Sequence, residues 1–154
     1  MSGEIKRATT EDVQLVAQLF DEHRQFYGQP HDLPLATKFI LARLSNQDAV
    51  IFLAQDIRGM GLGFCQLYPT FDSISAQPTL TLSDLYVTQH ARCVGLGRRL
   101  VNCAIDYAKA KQIESMSVTA RREHQHARAL YHSLGFELKE DFFSYNLDIK
   151  RHLK

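Results

Sequence analysis

The apolar residues Val13, Val16, Ala17 and Phe20 recur at spacings of three and four, which turns one face of a helix inward through about residue 26. Ile5 to Ala8 reads as a short strand ahead of it, and Thr9 with Asp12 three positions on reads as the capping box that starts the helix. Gly28-Gln29-Pro30 stops it, and Leu35, Phe39, Ile40 and Leu44 open a second helical segment. The pattern then shortens to that of strands. Ala49 to Ala54 forms one, Asp56 to Gly59 a turn, Leu62 to Tyr68 a second strand, Pro69 to Gln77 a polar loop, and Leu80 to Val87 a third. After Gly95 a helical stripe returns at Leu96, Leu100, Ala104 and Ala108, with Val101 and Tyr107 beside it. Ser115 to Thr119 is a short strand, Ala127 to Leu134 a helix stopped by Gly135, and Phe136 onward reads as extended.

Strands joined by short turns pair antiparallel, whereas the later strand, helix, strand order needs crossover helices. The expected fold class is therefore α/β: a mixed, mostly antiparallel central sheet flanked by helices. No linker, repeat or low-complexity tract divides the chain, and 154 residues with 45% hydrophobic content suit one compact domain spanning 1–154.

Charge and cysteine content narrow the setting. The 18 basic and 17 acidic residues nearly cancel, so no nucleic-acid groove or anionic membrane surface is expected as a partner. The start MSGEIKRATTEDV lacks a signal-peptide core, no apolar run approaches membrane-spanning length, and Cys65, Cys93 and Cys103 show no disulfide spacing. A soluble, cytoplasmic chain with reduced thiols is the expectation. His124, His126 and His132 do not reproduce a metal-binding pattern, so no metal is expected.

The stretch DLYVTQHARCVGLGRRL, Asp84 to Leu100, carries the candidate chemistry. A helix starting near Gly95 exposes unused amides from Val94 through Arg98. Small residues there admit a close ligand, and the helix dipole with Arg92, Arg98 and Arg99 favours a negative one such as pyrophosphate. The stretch alone fits a glycine-rich turn before an ordinary helix equally well. A Walker loop is disfavoured because no Gly-Lys-Ser/Thr follows, and a dinucleotide fingerprint fails where its third glycine would fall on Leu100. RGMGLGF, Arg58 to Phe64, lies between strands with no helix after it and reads as tight turning or backbone packing.

Arg92-x-x-Gly95-x-Gly97 after the strand ending at Leu85-Tyr86-Val87, joined with ARALYHSLGF from Ala127 to Phe136, resembles the GCN5-related N-acetyltransferase family. The resemblance implies the acyl-CoA N-acyltransferase fold, acetyl-CoA as donor and a primary amine as acceptor. It also implies fourth and fifth strands that splay to admit the pantetheine arm. It places cofactor contacts at Leu85, Tyr86 and Val87, at Arg92, Cys93, Val94, Gly95, Leu96, Gly97 and Arg98, and at His124 and Ala127. His124 departs from the family, which often has asparagine there.

Tyr131 matches the family tyrosine and is the expected general acid, with the Leu85 amide polarising the carbonyl. Asp84 is the candidate proton acceptor, with a hydrogen-bonded structural carboxylate as its alternative. Glu22, Tyr27, Asp32 and Tyr86 are acceptor-side candidates, and Phe26, Tyr68, Phe71 and Asp72 are further choices for an aromatic and acidic wall. A small-molecule amine is favoured over a protein amine, and a homodimer is a family-level expectation. The reading from a different functional class is a non-catalytic acyl-CoA-binding or regulatory module.

Overall fold

The structure, a computed structural model, describes residues 3–152 and contains two compact units, one reaching to Thr119 and one starting at Ala120. The first unit is built on five strands, β1 (Glu4–Arg7), β2 (Val50–Gln55), β3 (Gly61–Asp72), β4 (Gln77–Val87) and β5 (Met116–Val118), lying side by side in chain order. β1 to β4 pair antiparallel and β5 joins β4 in parallel, which makes the sheet mixed and mostly antiparallel.

Helices α1 (Val13–Phe26) and α2 (Leu33–Asn46) cover one face of the sheet. The entry to α1 is fixed by the capping box: Thr9 Oγ1 accepts from the Glu11 amide and Asp12 Oδ2 from the Thr9 amide, across a single 3-10 turn. Burial pushes the Asp12 carboxyl up, but the Lys6 ammonium at 2.8 Å and the Thr9 donors outweigh it and hold the group below the usual carboxylate range. Val16, Leu19 and Phe20 of α1 and Ile40 of α2 then pack on Ile51, Leu53 and Phe64. Phe20 stacks on Phe39 at 5.1 Å and meets Phe64 edge-on at 6.3 Å, contacts of about 0.5–1.5 kcal/mol each beyond area burial.

Helix α3 (Leu96–Ala110) packs on the sheet with its expected stripe: Leu96, Leu100, Val101, Ala104 and Ala108 are all buried. The buried Cys65 thiol reaches back to the Leu100 carbonyl at 3.6 Å. Register assigns the faces. Phe64 pairs with Tyr86 and Gln66 with Asp84, on the face that α1 covers, whereas Cys65 pairs with Leu85 on the face of α3.

Two expectations change. The polar loop foreseen from Pro69 to Gln77 is mostly strand, because β3 runs on to Asp72 and β4 starts at Gln77, leaving only Ser73 to Ala76 as the turn. β2 pairs with β3 only as far as Leu67, so beyond it β4 is the one strand paired with β3 among the described residues, and a proline at 69 forfeits no ladder bond on the open side. In the second unit α4 (Gln125–Ser133) forms as expected and ends before Gly135, but none of the residues from 136 to 148 is paired as a strand. Phe142, Phe143 and Tyr145 are more than four-fifths exposed there, and a strand needs a paired neighbour to satisfy its backbone. A short helix, α5 (Ile149–His152), follows.

Candidate active site

β4 is paired along its whole length by β3, but on its other side β5 reaches it only at Leu80, Thr81 and Leu82. Between Gln66 and Leu67 the register slips, leaving Ser83 as an extra residue on β4, so Leu82 and Leu85 both turn to the α3 side. Past this bulge the outer edge of β4, Asp84 to Val87, has no strand partner among the described residues. An edge with unspent amides and carbonyls is what an extended, amide-bearing arm needs. The pairing of β4 with β5 thus stops at Leu82, next to the bulge at Ser83.

Gly63 on β3 lies opposite Val87, and a Cβ on it would stand 2.6 Å from the Tyr86 carbonyl oxygen. Close packing of β3 on this part of β4 therefore explains the second glycine cluster, as does the Asp56 turn, whose Oδ1 accepts from the Arg58 and Met60 amides. No phosphate role is needed for it.

After Val87 a 3-10 turn, Gln89–Ala91, leads to the loop that opens α3. Gly95 is the N-cap at φ 81°, a left-handed conformation that glycine adopts without penalty, and the space beyond its Cα is open. No side chain caps this helix and its first turn holds no acid but Arg98 and Arg99, so the positive end of its dipole is left for an outside anion. Arg99 is engaged elsewhere, donating to the Gly3 carbonyl at 2.6 Å. Cys93 and Val94 are exposed on the same loop, Cys93 at φ 67°, while Leu96 is buried.

Beside the β4 edge lies an open cleft of about 460 Å³ lined by Glu22, Gln25, Phe26, Tyr86, Gln89 and Arg92. The Tyr86 hydroxyl donates to Glu22 Oε1 at 3.1 Å, and burial together with this carboxylate pushes the phenol above its ordinary range. Arg92 Nε donates to the Val87 carbonyl at 2.9 Å. Glu22 and Tyr86 are therefore brought together, with Tyr27 behind them against His23 and Phe26. Asp32 is not: its carboxylate caps α2 through the Leu35 amide at 3.1 Å. Phe71 and Asp72 sit at the far tip of the β3–β4 hairpin, where Asp72 binds the turn at Ile74 and Ser75.

Asp84 shares the α1 side of the sheet with Tyr86. One of its oxygens accepts from Gln66 Nε2 at 2.7 Å, and the other lies 3.2 Å from His23 Nε2. The side chains of Asp84 and His23 are only 13% and 10% exposed, and the imidazole is walled by Tyr27, Phe64 and Tyr86. With the carboxylate as acceptor the proton sits on Nε2, leaving Nδ1 as the basic nitrogen, buried and without a partner.

In the second unit His124 is the N-cap of α4 without a side-chain capping bond, and Ala127 lies in the helix's first turn. Tyr131 is buried at 9% exposure and meets Phe136 edge-on at 5.6 Å, and the Phe136 amide closes back on the Tyr131 carbonyl. Among the described residues no group of three or more His, Cys, Asp or Glu side chains is placed to hold a metal.

The sequence model of the acetyltransferase (GNAT) family matches residues 16–136. The chain belongs to this family. An uncharacterized N-acetyltransferase of Bacillus subtilis, YhfO, is 39% identical over 145 residues, covering 94% of this chain and 97% of that one. The crystal structure of a probable acetyltransferase superposes with TM-score 0.87 at 34% identity, covering 94% and 97% of the two chains. A predicted acetyltransferase of Clostridium acetobutylicum, solved with acetyl-CoA, shares the fold at TM-score 0.78 and 14% identity over 94% and 96%.

This GNAT enzyme accordingly transfers an acetyl group from acetyl-CoA to an amine, and the non-catalytic reading is not favoured. No helix among its described residues is long and apolar enough to cross a membrane. His23, placed beside the candidate Asp84, was not singled out from the sequence. A signal existed: it continues the buried stripe of Val16, Leu19 and Phe20, where a titratable side chain needs a partner.

Proposed function

We propose that residues 1–154 act as one catalytic domain that acetylates a small-molecule amine in the cleft beside the outer edge of β4. The family match, which runs through both compact units, supports the single domain. The observation that carries the site is the outer β4 edge beyond Leu82: it has no strand partner among the described residues, leads through the Gln89–Ala91 turn to the start of α3, and is flanked by the cleft holding Glu22 and Tyr86. Family membership also supports a homodimer, which light scattering tests, and the cytoplasmic assignment fits three unpaired cysteines.

Acetyl-CoA supplies the activated acetyl group. The chain's residues bind, orient and move protons. Backbone groups at Leu85 and Val87 pair with the pantetheine arm, the amides from Val94 to Arg98 with Arg98 itself receive the pyrophosphate, and the Leu85 amide stabilises negative charge growing on the carbonyl oxygen. His124 and Ala127 keep the cofactor-side roles that the family segment gives them.

The His23–Asp84 pair takes the proton of the acceptor ammonium, with the Asp84 carboxylate 3.2 Å from Nε2 orienting the ring and Nδ1 as the accepting nitrogen. The neutral amine then forms the new C–N bond as the C–S bond breaks, and the Tyr131 phenol gives its proton to the departing thiolate. The proton shed by the acylated nitrogen restores the phenol, and His23 releases the first ammonium proton to solvent. Holding donor and acceptor together supplies much of the acceleration.

The Gly95→Ala variant tests the phosphate seat. Alanine at this φ costs about 1–2 kcal/mol locally and puts a methyl into the open space beyond the Cα. Equilibrium titration should show CoA binding weakened by about tenfold or more while circular dichroism shows a folded chain. Unchanged CoA affinity in a folded variant contradicts the seat.

A further inference from the structure

The Arg92 side chain does two things at once. Its guanidinium lies over the ring of Phe26 at 5.6 Å and over that of Tyr86 at 5.7 Å, while its Nε donates to the Val87 carbonyl. Two aromatic faces within about 6 Å of one cationic centre make a cation seat. Glu22, bonded to the Tyr86 hydroxyl and lining the same cleft, adds negative potential at its mouth. The chain fills this seat with its own cation.

That position conflicts with the cofactor side of the proposed function, on which this inference rests. A guanidinium bound to the Val87 carbonyl occupies part of the edge that the pantetheine arm needs, and it lines the acceptor cleft. Binding of the donor therefore requires Arg92 to leave, and its departure empties the seat. A new cation can then enter. It cannot be the reacting nitrogen, which must be neutral to attack the thioester.

We propose that the seat formed by Glu22, Phe26 and Tyr86 selects acceptors carrying a second, retained positive group, that is diamines and related cationic amines, and that Arg92 occupies it as a stand-in until acetyl-CoA draws the guanidinium away. Arg92 is thus the gate on the acceptor site. Specificity arises from the aromatic faces, and binding order from the exchange of one cation for another.

Two arms test this. In the first, 1,4-diaminobutane is titrated calorimetrically into the protein with and without a saturating non-transferable thioether analogue of acetyl-CoA. The expected result is binding tighter by about tenfold or more with the analogue present, and Arg92→Gln should bind the diamine comparably tightly with no analogue at all. In the second arm, kcat/KM is compared for 1,4-diaminobutane and 1-aminobutane. The diamine should lead by about tenfold or more, and Phe26→Leu and Glu22→Gln should each shrink that ratio.

Equal kcat/KM for the two amines in the unaltered protein overturns the proposal, as does diamine affinity indifferent to both the analogue and Arg92. The two readings fail separately. If CoA binds and no amine is acetylated, the transfer chemistry is wrong, and the titration arm alone then supports or overturns the seat.

Discussion

Replacing Asp84 by Asn and His23 by Gln, singly and together, separates a proton-accepting pair from a merely structural one. The introduced asparagine keeps the shape of the aspartate but cannot accept from both Gln66 and His23. Gln66 can relieve the conflict by turning its amide, because its Oε1 is buried without a partner in the present arrangement. The structural loss is then one charge-assisted hydrogen bond, about 1.5–3 kcal/mol, at a side chain 13% exposed. At about 2–4 °C per kcal/mol in a chain of this size, the melting temperature falls by less than roughly 12 °C and the enzyme remains folded.

The kinetic loss should be much larger. Removing a general base costs about 10²–10⁴ in rate, so thiol release at saturating acetyl-CoA and amine should fall at least a hundredfold at neutral pH. Because an aliphatic amine deprotonates by itself near pH 10.4, the gap between variant and parent should narrow as the pH rises toward about that value. If the two residues act as a unit, the double variant should be no slower than the worse single one. Single losses that multiply, or a kcat within about threefold of the parent in a folded Asp84→Asn protein, rule out a proton-accepting pair.

Tyr131→Phe keeps the ring that meets Phe136 and removes the exchangeable proton, so CoA affinity measured by titration should change little while kcat falls about 10²-fold or more. Asp12→Asn removes a carboxylate held below its usual range. Its contribution is present in full above the ordinary carboxylate value near 3.9 and fades as the pH falls through the lowered folded value, so thermal melts should show the variant weaker by about 1 kcal/mol at neutral pH and equal to the parent in strong acid. Gly63→Ala drives a methyl to within 2.6 Å of the Tyr86 carbonyl, which should cost about 1–3 kcal/mol in denaturant unfolding and disturb the β4 edge.

Much of the fold is visible in the sequence because its signals are local. The stripe Leu96, Leu100, Ala104 and Ala108 is buried as its period demands, and Thr9 with Asp12 caps the segment that the pattern assigns. The β3–β4 hairpin misleads because Pro69, Asp72 and Ser75 carry turn chemistry, while strand pairing there is decided by which neighbours exist beyond Leu67. The same is true from Phe136 onward, where β-forming residues lack a paired strand.

The candidate site divides in the same way. Gly95 at the helix start is readable, since only a few residue types suit its φ. The bulge at Ser83 is not, because register belongs to two strands together. His23 and Asp84 lie far apart in the chain and meet only once α1 lies against β4, and the position of Arg92 between two rings depends on loop geometry that no motif encodes.

Whether an acetyl group passes to an amine beside the β4 edge is decided by incubating the protein with acetyl-CoA and 1,4-diaminobutane, measuring free thiol, and weighing the amine product by mass spectrometry. One thiol should be released for each amine that gains one acetyl group in place of one hydrogen, with both signals suppressed together in Asp84→Asn. Thiol released without an acetylated amine, or acetyl-CoA bound with neither product formed across a broad panel of amines, contradicts the proposed transfer.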